Sequence, residues 1–106
     1  MIRHVVLMSF RPDLPPAKID EAVGRFVALR EKTSEMQNME HGINNSPEGL
    51  DQGFTHCFLI GFADSAARER YLVHPAHKEF VAYVMPLLAN GLVVDFEPSS
   101  VARKAA

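Results

Sequence analysis

This sequence predicts an α+β domain with four strands and two helical regions, and three observations carry that prediction. Residues 2–10, IRHVVLMSF, and 54–62, FTHCFLIGF, alternate with a period of two and place apolar side chains on both faces. Residues from about 16 to 34 and from about 65 to 88 repeat their apolar positions at helical spacing instead. Turn-forming residues separate these runs, so the order reads β-α-β-β-α-β.

Each element has its own local reason. In the first strand Ile2, His4, Val6, Met8 and Phe10 share one face, and Arg3, Val5, Leu7 and Ser9 share the other. A helix start is expected between Asp13 and Pro16, where prolines are tolerated in the first turn. Ile19, Ala22, Val23, Phe26 and Leu29 then form the apolar stripe of the first helix. Gly24 inside it costs about 1 kcal/mol of helix propensity against alanine, and close packing on a sheet is the expected return. Its acids, Asp20, Glu21 and Glu31, read as a solvated face.

Residues 37–45 make a weaker, more polar strand, expected at a sheet edge, and NNSPEGLDQG at 44–53 is a loop. The strand 54–62 is strong: Phe54, His56, Phe58, Ile60 and Phe62 face one way, and Thr55, Cys57, Leu59 and Gly61 the other. Asp64 or Ser65 caps the next helix, which carries Ala67, Tyr71 and Leu72. Pro75 opens a further helix with His74 at its cap, and Phe80, Val81, Val84, Leu87 and Leu88 supply its apolar side. Pro86 ends or kinks that helix. Asn90-Gly91 is expected to turn the chain into a last strand, LVVDFE, at 92–97.

The element order is that of a ferredoxin-like fold, an antiparallel sheet of four strands with helices on one face. The first and third strands are apolar on both faces, and helices cover only one. A second copy packed sheet to sheet would cover the remainder, so a homodimer is expected.

At 106 residues the chain suits one domain, expected over residues 1–98, with 99–106 as a flexible tail. The net charge of −2 provides no basic footprint for nucleic acid. No apolar run is long enough to span a membrane, and the N-terminus lacks the pattern of a signal peptide. The single cysteine, Cys57, has no internal partner and is expected to pack inertly, and a cytoplasmic location is the plain expectation.

YLVHPAHKEF at 71–80 carries the functional question. Tyr71 and His77 flank the break at Pro75, where the chain must change direction, so they can converge on one cavity. Histidine can take a proton from an acidic carbon, and tyrosine can donate a hydrogen bond to a carbonyl or enolate oxygen. His4 and His56, on the bulkier strand faces, are either satisfied core residues or lining of the same pocket. His74 is explained by its capping position. His74 and His77 have chelating spacing, but there is no HExxH motif, no cysteine pair and no carboxylate at ligand spacing, so no metal site is expected. No dinucleotide or phosphate loop is present, and no cofactor is expected.

HVVLMSF with His4, Gly42 and Asn44 before the loop, GFTHCFLIGFADS at 53–65 and above all YLVHPAHKEF resemble the stress-responsive A/B barrel (Dabb) family of the dimeric α+β barrel superfamily. The resemblance spans nearly the whole chain. It implies a ferredoxin-like protomer paired with a second through its sheet. A plant polyketide cyclase of this family closes a linear polyketide thioester by aldol condensation. By that resemblance His77 is the general base, Tyr71 positions and polarises the substrate, and His4 and His56 line the pocket. Where that cyclase has bulky aromatics on its first helix, this chain has Ala22 and Val23 and keeps Phe26 as a substrate-facing aromatic, so its cavity differs in shape. Three readings follow: proton-transfer chemistry on a small apolar carbonyl ligand, a non-catalytic stress-response or ligand-binding dimer, and a relative of the superfamily's monooxygenases.

Overall fold

The computed structural model of the chain describes residues 1–99, so all of the expected tail but Ser99 lies outside the described residues. Its elements are β1 (Ile2–Phe10), α1 (Pro16–Lys32), β2 (Met36–Ile43), β3 (His56–Phe62), α2 (Ser65–Leu72), α3 (Pro75–Val84), a single 3₁₀ turn (Met85–Leu87) and β4 (Leu88–Phe96). The four strands form one antiparallel sheet in the order β2-β3-β1-β4. This is the ferredoxin-like arrangement, with the two strongest strands central and the polar β2 at an edge.

Register determines which side chains meet. Ile2, His4, Val6 and Met8 pair with Phe62, Ile60, Phe58 and His56 of β3, and this face is covered by the helices. Ala22, Phe26 and Leu29 of α1 and Phe80 and Val84 of α3 close on it and complete the core. The opposite face carries Val5, Leu7 and Leu59 flanked by Leu92, Val94 and Phe96 of β4, which are 44%, 52% and 48% exposed in the single chain. Cys57 lies on that face too and is exposed, so within one protomer it is not the packed residue the sequence suggests.

Two further expectations need correction. The last strand begins at Leu88, and Asn90-Gly91 lies inside it. Pro86 in the 3₁₀ turn has already reversed the chain, and a register shift between Ser9 and Phe10 absorbs the extra residue, so no turn is needed at 90–91. Gly24 provides no close approach, because a Cβ built there meets nothing within 4 Å. The helix starts behave as their sequences suggest. The Asp64 side chain accepts from the Ala67 N–H at 2.8 Å, and His74 Nδ1 accepts from the Ala76 N–H at 3.0 Å.

Candidate functional site

A cavity of about 470 Å³ lies between α3 and the β1–β4 half of the sheet. Its apolar walls include Val6, Met8, Phe26, Phe80, Val84 and Leu88, and the titratable groups on it are His4, Tyr71 and His77. Such a space suits a small ligand with an apolar body and one polar region.

His77 sits in the first turn of α3, next to the break that Pro75 makes. Its Nδ1 is 3.1 Å from the Leu72 carbonyl oxygen. A carbonyl only accepts, so Nδ1 carries the proton, and the neutral ring keeps its lone pair on Nε2. Burial pushes the His77 pKa below the ordinary histidine value; the Leu72 carbonyl opposes this, and nearby His4 and His74 add to it. The ring is therefore suited to accept a proton near neutral pH.

Tyr71 lies in the last turn of α2 and is almost fully buried. Its ring lies 4.4 Å from that of His77, 5.2 Å from Phe62 and 6.2 Å from His4, centre to centre. Burial raises its pKa far above the usual phenol value, so the hydroxyl keeps its proton and serves as a donor. Two short helices thus bring the tyrosine and the histidine together across a proline-forced corner.

His4 reaches the same cavity from the middle of β1. Its Nδ1 is 2.6 Å from Asp95 Oδ1, and the other carboxylate oxygen of Asp95 accepts from Arg68 at 3.1 Å. Asp95 lies directly opposite His4 in the β1–β4 register. Sequence reasoning missed Asp95 and Arg68. The one available signal was a carboxylate inside the apolar run LVVDFE, which gains meaning only once the register is known.

The structure brings His4, Phe26, Tyr71 and His77 to the cavity and leaves His56 outside it. His56 pairs with Met8, four residues along β1 from His4, or about 13 Å at ~3.3 Å per residue. Its ring packs edge-on against Phe10 at 5.1 Å, and Nδ1 is 2.8 Å from Thr55 Oγ1. Burial lowers its pKa as well. Phe26 forms part of the cavity wall, with its ring 4.8 Å from Phe80 and 4.5 Å from Phe58.

The family model for the stress responsive A/B barrel domain matches residues 2–98. The stress-response A/B barrel domain-containing protein HS1 of Arabidopsis thaliana is 36% identical over 94% of this chain and 92% of its own length. Olivetolic acid cyclase of Cannabis sativa is 22% identical over 92% of this chain and 96% of its own. Among solved structures, that of At3g17210 from Arabidopsis thaliana superposes with a TM-score of 0.90, at 36% identity over 95% of this chain and 98% of that one. A dimeric ferredoxin-like protein from Jannaschia sp. CCS1 superposes with a TM-score of 0.79, at 27% identity over 92% and 98% of the two chains.

Proposed function

This chain belongs to the stress-responsive A/B barrel domain family, and from that premise we propose that its cavity performs proton-transfer chemistry on a small carbonyl compound with an apolar body. The observation that carries this reading is the state of His77. Its Nδ1–H is committed to the Leu72 carbonyl and its basicity is lowered by burial, so the free lone pair is on Nε2 of a ring that lines the cavity beside a protonated tyrosine. His77 acts as the base that takes a proton from the carbon next to a carbonyl. The Tyr71 hydroxyl hydrogen-bonds the enolate oxygen that forms. Phe26, Phe80 and Val84 hold the apolar part. The likeness to olivetolic acid cyclase supports a polyketide-like substrate class.

The working form is a homodimer. The neighbouring structure from Jannaschia is dimeric, and the uncovered apolar face of Val5, Leu7, Leu59, Leu92 and Val94 supports the same assembly here. We place the dimer in the cytoplasm, and among the described residues no helix is long and apolar enough to cross a membrane.

The test is cyclisation of a linear poly-β-keto thioester by the purified protein, with and without a chelator, alongside sedimentation at micromolar concentration. Chelator-insensitive turnover that is lost in His77→Ala is the expected result. Turnover unchanged in His77→Ala would discard the assignment. Probe binding with no turnover would make the protein a ligand-binding dimer, and a monomer in sedimentation would remove the assembly.

A further inference from the structure

We propose that Arg68 and Asp95 are positioning residues that lock the ring of His4, making His4 the second proton-transfer group of the cavity. The chemical half of this rests on the proton-transfer reading above; the positioning half rests on geometry alone. Asp95 is held from two sides. Arg68, on α2, donates to one carboxylate oxygen at 3.1 Å, and the His4 ring meets the other at 2.6 Å. A carboxylate accepts only, so Nδ1 of His4 carries the proton and Nε2 is left as the nitrogen that works on the cavity side. The edge-on contacts of the ring with Phe62 at 5.7 Å and Tyr71 at 6.2 Å restrict its rotation. The His4 side chain is only 7% exposed, and Asp95 and Arg68 are 22% and 24% exposed, so the pair is shielded but reachable from solvent.

This arrangement exceeds what packing requires. A strand histidine needing only satisfaction can bond to a backbone group or water, whereas here a carboxylate on the neighbouring strand, held in turn by an arginine on α2, fixes one tautomer. It also supplies what an aldol closure needs beyond a base. His77 Nε2 takes the proton from the α-carbon, and the C–H electron pair becomes the enolate. The enolate carbon bonds to a second carbonyl carbon, whose π pair moves to its oxygen. That oxygen takes the proton of His4 Nε2. His4 enters this step doubly protonated, opposite the Asp95 carboxylate, and leaves neutral with Nδ1–H retained. His77 leaves protonated, and water returns its proton to His4, so a turnover consumes no net proton.

The experiment compares wild type with Asp95→Asn, Arg68→Gln and Arg68→Lys. Nitrogen-15 spectra of the histidine rings, recorded where the rings are neutral, read the tautomer. Poly-β-keto thioester cyclisation reads the chemistry, and circular dichroism checks folding. Wild-type His4 is expected as a single Nδ1–H tautomer. Asp95→Asn and Arg68→Gln should mix the tautomers and lower the cyclisation rate roughly 10–100-fold, with His77 still in its Nδ1–H form, and Arg68→Lys should restore part of both. An unchanged His4 tautomer in both Asp95→Asn and Arg68→Gln overturns the positioning role. Mixed tautomers with a wild-type rate overturn the proton-transfer role of His4. Wild type that holds the tautomer but does not cyclise the probe removes the polyketide reading and leaves the clamp standing. If Asp95→Asn unfolds, the two Arg68 variants decide.

Discussion

The helix-covered face of the sheet has two histidine-bearing ends, and they are built differently. At one end His4, Tyr71 and His77 surround an open space, with each histidine tied through Nδ1 to an oxygen outside the cavity. At the other end His56 is packed edge-on against Phe10 and bonded to its own neighbour Thr55, while His41 stacks on Phe58 at 5.7 Å. The two ends contain the same residue type on the same face, and burial lowers the pKa of both His56 and His77. What separates them is the company each histidine keeps: His4 and His77 share one cavity with Tyr71, whereas the pocket that His56 lines holds no tyrosine and no second histidine. A perturbed histidine becomes a candidate for chemistry only when the surrounding packing leaves room for a reacting atom.

The contrast breaks most readily at His77. Replacing it with alanine removes the base and should cost roughly 10²–10⁴-fold in cyclisation rate. His56→Gln, measured beside it, should stay within about threefold of wild type, because that ring lies outside the cavity of His4, Tyr71 and His77. The reverse ranking would move the site to the other end of the sheet.

Tyr71→Phe should cost roughly 10²-fold in kcat. The phenyl ring keeps its contacts with Phe62 and His77, so melting temperature should scarcely move. A large loss of stability with little change in rate would make the tyrosine a packing residue.

Acidification sharpens the contrast because it acts on both ends for different reasons. Only neutral His77 accepts a proton, so the rate should fall about tenfold per pH unit below its folded pKa, which lies under the ordinary ~6.5. Stability follows the same sign for His77 and His56 together. The unfolded chain takes up protons at ~6.5 and the folded chain only at lower pH, so protons favour the unfolded state first. The contribution is full above ~6.5 and is lost as pH falls through the folded values. Denaturant titrations across pH 5–7 check this, and His56→Gln should flatten the stability profile without moving the rate profile.

The smallest effect belongs to a residue outside both ends. Gly24 is exposed in the middle of α1 with open space where a Cβ would stand. Gly24→Ala should therefore stabilise the protein by up to about 1 kcal/mol and leave activity unchanged. A loss of stability would reveal a packing demand at this position.

The fold was legible because its signals are local. Period-two alternation in β1 and β3, the helical stripe from Ala22 to Leu29 and the proline at position 75 each act within a few residues, and they set the element order. The meeting of Tyr71 and His77 was legible for the same reason: they are six positions apart across one forced corner. The Asn90-Gly91 turn was misread because a local turn signal yielded to a reversal already completed at Pro86.

By itself, then, the sequence determined the α+β architecture, the uncovered apolar face and the tyrosine–histidine corner, all of them consequences of short-range geometry. Only the tertiary structure decided which histidines share a cavity. His4 meets Asp95 across 91 positions of chain, and Arg68 reaches the same carboxylate from α2. His56, on the same sheet face, is carried away by four residues of strand. Those outcomes depend on register and on where α3 stops covering the sheet, and both are settled by how distant segments pack rather than by the residues beside each histidine.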